Sequence, residues 1–236
     1  MNKEMIVFDE EGGKLISIQE VRTISFSEFI DRLQVQRIST PILPRAIWYE
    51  DTGVDKMYAI ETPPRRRVVP YFEKYYDLGF PALIFLVRTS GNYIANVALA
   101  VATSDINDFE DQLFRLPLPN MDDRSLLCLG TKFDTEIAGM TDLLKKVKYV
   151  LSFFETSRYN DHLLPLHEWI PDELRGDYNI AQEHNPIDSF HGVLARWQEL
   201  TKGEDWLQVV NGTKKTGPKI SWIPFKTFRQ FTRETT

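Results

Sequence analysis

The 236-residue chain is 42% hydrophobic and 26% charged, which excludes long disorder, and its length admits one large domain or a domain of about 150 residues with extensions. A formal net charge of −6 and a pI near 5.3 supply no global field for nucleic acid or an anionic membrane. No run reaches the roughly 18 consecutive apolar residues of a membrane span.

In chain order, two short apolar runs over residues 5–17 surround Glu10, Glu11, Gly12 and Gly13 and predict a β-hairpin. Ser25-Phe26-Ser27-Glu28 has the capping-box pattern, so a short amphipathic helix is expected over residues 26–35. Pro41 and Pro44 end it, and a second hairpin is predicted from residues 46–50 and 56–61 around Asp51-Thr52-Gly53. Arg65, Arg66 and Arg67 follow in a strand-like run that Pro70 confines to an edge or an end. They read as a solvated strand or loop, with contact to an acidic partner as the sharper alternative.

Residues 82–87 are apolar throughout and predict a central strand covered on both faces, paired with residues 93–101 through Ser90-Gly91-Asn92. After an acidic segment at 105–111, an irregular stretch runs from 114 to 130 and holds Pro117, Pro119, Asn120 and Cys128. From Thr141 the pattern turns helical, with Leu143, Leu144, Val147, Val150, Leu151 and Phe154 on one stripe that should pack on the sheet. Residues 160–186 read as a long surface connection. A second helix is predicted over 189–200, with Asp188 as its cap. Strand-like runs close the chain at 206–210 and 220–225, separated by Asn211-Gly212 and Thr216-Gly217 turn signals.

One cysteine cannot form an internal disulfide, and one thiol with four dispersed histidines has no zinc spacing, so no metal is expected. Neither GxGxxG nor GxxxxGK occurs, so no nucleotide site and no cofactor are expected. The acidic N-terminus MNKEMIVFDEE lacks the basic, then apolar order of a signal peptide, so cytoplasmic residence is the default. A lone cysteine in a reducing compartment reads first as a small buried hydrophobe. Its surroundings point elsewhere.

The stretch Leu116-Pro117-Leu118-Pro119-Asn120-Met121-Asp122-Asp123-Arg124-Ser125-Leu126-Leu127-Cys128-Leu129-Gly130 resembles the active-site signature of ubiquitin-conjugating (UBC-like) enzymes. In that family a His-Pro-Asn triplet precedes the catalytic Cys by eight residues from its Asn, and here Asn120 and Cys128 keep the spacing. Leu118 stands where the family has His. Pro81-Ala82-Leu83-Ile84-Phe85, Leu113-Phe114-Arg115-Leu116-Pro117 and Cys128-Leu129-Gly130 further resemble a divergent bacterial subgroup that includes the plasmid-borne PRTRC-system protein B.

The resemblance implies an α+β fold: a UBC-like antiparallel meander sheet flanked by helices over residues 26–158, with an N-terminal β extension at 1–25 and a C-terminal α/β extension at 159–236 packed on the core. It implies a carrier that accepts a ubiquitin-like modifier as a thioester on Cys128 and passes it to an amine. The implied partners are that modifier, an activating-enzyme-like protein and a metalloprotease-like deconjugase. The alternative is a catalytically inactive scaffold on the same fold, acting in a plasmid or defence complex.

The chemistry is coherent with these residue types. Transthiolation needs a thiolate, which an ordinary cysteine already presents at a few per cent near neutral pH. When an amine attacks the thioester, charge gathers on the carbonyl oxygen, and an amide donor such as that of Asn120 can stabilise it. Asp122, Asp123 and Asp134 are candidate acids for orienting the amine. Against this stands the plain reading of Pro119-Asn120 as a turn and Cys128 as packing. His162, His167, His184 and His191 read as surface residues, with a Cys-His hydrolase as the remote alternative. Trp169, Trp197, Trp206 and Trp222 predict a satellite core or a partner surface.

Overall fold

The computed structural model describes residues 4–9, 12–17, 21–24, 46–157, 159, 163–176, 178 and 186–234, with side chains from residue 46 onward except at 186–189 and 234. The chain divides between Ile42 and Leu43 into two compact units.

The first unit carries a three-stranded antiparallel sheet of β1 (Glu4–Asp9), β2 (Gly12–Ser17) and β3 (Val21–Ile24). The predicted hairpin is present, with Asp9 opposite Gly12, and β3 adds a strand that the pattern did not announce. The helix expected from the Ser25–Glu28 box lies outside the described residues.

The second unit is built on a six-stranded antiparallel sheet and helices, so the α+β expectation holds at that level. Its strands are β4 (Ala46–Asp51), β5 (Asp55–Thr62), β8 (Ala82–Ser90), β9 (Tyr93–Ala102), β10 (Gln112–Phe114) and β11 (Pro224–Thr227), in the order β11-β10-β9-β8-β5-β4. Gly53 at φ +90° makes the β4–β5 turn, where the Asp51 carboxylate accepts its N–H at 2.8 Å. Along β8 the side chains alternate faces: Leu83, Phe85 and Val87 join Tyr58, Ile60 and Leu99, while Ile84 and Leu86 join Met57, Ala59 and Ala98. Both faces are therefore covered, as a continuous apolar run requires.

Between β5 and β8 the chain leaves the sheet as a separate two-stranded ladder, β6 (Arg65–Tyr71) and β7 (Lys74–Phe80), with Pro70 next to its end. The three arginines are not a solvated run. Arg66 pairs with Asp77 at 2.9 Å and Arg65 with Glu155, and Arg67 is 6% exposed. The Arg67 guanidinium donates to the Tyr159 hydroxyl at 3.1 Å and to the Phe154 carbonyl, and lies 4.3 Å from the Phe154 ring centroid. Periodicity cannot reveal this, because an arginine stem packs like a hydrophobe while its head finds partners 87 and 92 residues away in sequence.

The helices are α1 (Gly130–Ala138), α2 (Leu143–Thr156), α3 (Asp172–Arg175), α4 (Pro186–Thr201), α5 (Trp206–Val210) and α6 (Phe228–Glu234). Asp142 caps α2 by accepting the N–H groups of Leu144 and Lys145, and Val147, Val150, Leu151 and Phe154 are buried as the stripe predicted. α4 starts at Pro186, so Asp188 falls inside the first turn and is not the cap. α4 lies on β7, where the Trp197 indole N–H donates to the Gly79 carbonyl at 2.9 Å; a Cβ on Gly79 would sit 2.6 Å from the Trp206 ring.

Residues 206–210 are helical, not a strand. Trp206, Val209 and Val210 are spaced i, i+3, i+4, which places one apolar face inward in a helical turn and splits it in a strand. Ile220 and Trp222 are buried in irregular chain, and the strand begins only at Pro224. Trp197 and Trp222 belong to the main core with Trp206 packed against it; they build no satellite.

Candidate active site

Asn120 and Cys128 are brought together by a short hairpin. The Cys128 N–H donates to the Asn120 carbonyl at 2.7 Å, Met121 faces Leu127 across an antiparallel bridge, and the Asp122 N–H donates to the Leu126 carbonyl at 3.0 Å. In this register residue 120 lies opposite 128 and residues 123–125 form the loop, so the eight-residue spacing has a direct structural meaning. Ser125, at φ +64°, closes that loop in the left-handed region. The Asp122 carboxylate accepts the N–H groups of Arg124 at 3.0 Å and Leu126 at 2.8 Å. Asp122 is thereby committed to the turn.

The outgoing limb leans on the sheet. Leu127 N–H donates to the Val97 carbonyl at 2.7 Å, and Leu99 N–H to the Ser125 carbonyl at 3.0 Å, with Ala98 bridged to Leu126. The incoming limb is tied by the Asn120 N–H to the Leu163 carbonyl at 3.1 Å. Asn120 has φ +64°, a conformation that asparagine tolerates better than most residues. Its side-chain oxygen is buried without a hydrogen-bond partner among the described residues.

Cys128 is exposed and lines a cleft of about 590 Å³. One side is the hairpin and the start of α1, including Lys132 and Glu136; the other is the C-terminal half of α2, with Tyr149 and Phe153, and Tyr159 follows it. Lys132 and Glu136 are an exposed i, i+4 pair at 3.9 Å, a weak contact that leaves both groups able to meet a ligand. Burial pushes the Tyr159 phenol well above the usual tyrosine range, although Arg67 opposes the shift, so it stays protonated near neutral pH.

Among the described residues, Glu136 is the acid that lines the cleft; Asp122, Asp123 and Asp134 do not line it. Tyr149 and Phe153 line it too; their signal in the sequence is an aromatic pair at i, i+4 beside the α2 core stripe. Leu118 is 1% exposed and packs in the main core, so the position at which the family resemblance implies His is an apolar packing position in this chain.

No described histidine lines the cleft. His167 is exposed, and the His191 ring shares a hydrogen bond of 2.6 Å with the Tyr76 hydroxyl beside Tyr71, so it is not the surface residue that its neighbours in sequence implied. His162 and His184 lie outside the described residues. Among the described residues there is no cluster of three or more metal-ligating side chains, and no helix is long and apolar enough to cross a membrane.

No protein-family model matches the chain, and neither the curated proteins nor the solved structures contain a match.

Proposed function

We propose that this protein is a ubiquitin-conjugating-like carrier that forms a thioester with a ubiquitin-like modifier on Cys128 and transfers it to an amine. The reading rests on one observation: an exposed thiol stands opposite Asn120 across a hairpin, and both line one cleft. In charging, the Cys128 thiolate attacks the modifier's thioester carbonyl on the activating enzyme and that enzyme's thiolate leaves. In discharge, an acceptor amine attacks the Cys128 thioester, an amide forms, the Cys128 thiolate leaves and the amine's proton passes to a base. Glu136 is the carboxylate available in the cleft to hold the incoming ammonium. The Asn120 amide is the candidate donor to the developing oxyanion.

The test is charging of the purified chain by an activating enzyme and ubiquitin-like modifier from the source organism, read by intact mass. A modifier adduct that thiol reductant removes and that Cys128→Ala lacks supports the reading. Absence of any adduct under conditions that charge the activating enzyme overturns it.

The second reading, an inactive scaffold on a UBC-like fold, draws on two facts: Leu118 is core, and the Asn120 side-chain oxygen is buried. Alkylation separates the two, since an inert Cys128 under native conditions leaves only the scaffold.

A further inference from the structure

Arg115 occupies an unusual place. Its backbone N–H donates to the Ile223 carbonyl at 2.9 Å, just beyond the β10–β11 pairing. Its guanidinium carbon lies 4.4 Å from the Trp169 ring centroid and 4.4 Å from that of Phe225. Its Nη1 donates at 3.0 Å to the carbonyl of Asp123, in the loop of the Asn120–Cys128 hairpin. A half-buried guanidinium between two rings loses most of its freedom to rotate, so the donor it aims at Asp123 is held in direction as well as distance. Nearby, the Leu163 carbonyl receives the Asn120 N–H.

We propose that Arg115 is a positioning residue: by pinning the Asp123 carbonyl while held between Trp169 and Phe225, it fixes the hairpin that presents Cys128 and Asn120 to the cleft. The C-terminal segments are then part of the site's frame. For the chemistry this rests on the carrier reading above, but its structural content stands apart from that reading. β9 holds the outgoing limb and Ser125 at the end of the loop, and Asp122 closes the turn from within; Arg115 at the Asp123 carbonyl and Leu163 at the Asn120 N–H hold the loop's start and the incoming limb. Near-attack geometry is sensitive to displacements of the order of an ångström, so loosening this brace degrades transfer more than it degrades the fold.

The experiment compares Arg115→Ala and Arg115→Lys with the wild-type chain, using amide hydrogen exchange and the rate at which iodoacetamide alkylates Cys128 across pH. In Arg115→Ala the Asp122 and Cys128 amides are expected to exchange about tenfold faster while the β8 amides keep their rates. The alkylation rate shifts by about threefold or more, and Arg115→Lys, which keeps the charge and loses the stacked plane, recovers part of both effects. If Arg115→Ala does not fold, Trp169→Leu removes one ring and is measured in the same way. Unchanged hairpin exchange and alkylation overturn the proposal, as does acceleration spread equally over β8. A wild-type Cys128 that never carries modifier, in a chain whose hairpin still responds to Arg115→Ala, removes the carrier reading and leaves the brace standing.

Discussion

Two hairpins meet on strand β9, and they are held by different physics. The β8–β9 hairpin turns through Gly91 at φ +55° and buries nearly every residue of β8, so its register follows from which side chains must leave water. The Asn120–Cys128 hairpin has a three-residue loop and leaves its thiol exposed. Met121 is buried and Leu126 and Leu127 pack on the cores, but its turn is set by polar bonds: the Asp122 carboxylate inside it, the Arg115 guanidinium outside it and two backbone bonds to β9. A hydrophobically defined element tolerates loss of any one polar bond. A polar one presents reactive groups in the open, at the cost of depending on single residues.

The sharpest way to break this contrast is to attack the first hairpin. Phe85 is fully buried and meets the Phe154 ring at a centroid distance of 5.2 Å, so Phe85→Ala removes a large side chain from the junction of sheet and α2. A loss of about 3–5 kcal/mol is expected in denaturant unfolding, with Cys128 labelling of the remaining folded fraction unchanged. A loss below about 1 kcal/mol means that the β8–β9 core does not carry the stability assigned to it.

The next effect is smaller and lies on the other hairpin. Asp122→Ala strips the acceptor from the Arg124 and Leu126 N–H groups, at an expected cost of about 1–2 kcal/mol. Hydrogen exchange should show the change at residues 122–128 before it appears in β8. Equal acceleration in both regions would erase the distinction drawn here.

The same contrast explains what could be read from the chain. The β4–β5 and β8–β9 hairpins, α2 and α4 were legible, because apolar periodicity and glycine turns report burial and backbone freedom directly. Residues 206–210 read as a strand on apolar content and flanking turn signals, whereas the i, i+3, i+4 spacing of Trp206, Val209 and Val210 fits the helical turn they form. β7 and α1 carry weak signals: β7 ends in three consecutive buried residues without alternation, and α1 buries only Phe133 and Ile137. At the site, the family resemblance singles out Asn120 and Cys128, but the hairpin that pairs them falls in a stretch that reads as irregular. Glu136, Tyr149 and the Arg115 brace were not legible, because each depends on which segments the fold brings together.

Asn120→Gly separates backbone from side chain within the polar hairpin. Glycine adopts φ +64° without penalty, and the substitution deletes an unpartnered buried oxygen, so stability should stay within about 1 kcal/mol of wild type. Discharge of a Cys128 thioester, measured in single turnover, is expected to fall by about 10²-fold if the amide serves the oxyanion. An unchanged rate would reduce Asn120 to a turn residue.

The smallest effect on the fold belongs to the residue proposed to matter most. Cys128 is exposed, its N–H is bonded to the Asn120 carbonyl through the backbone, and that bond survives any side-chain change. Cys128→Ala should therefore alter unfolding free energy by no more than about 0.5 kcal/mol while abolishing both alkylation and modifier charging. A destabilisation of about 2 kcal/mol or more would mean that the thiol is packed, as composition alone implied, and would move Cys128 from the polar hairpin's chemistry to the core hairpin's physics.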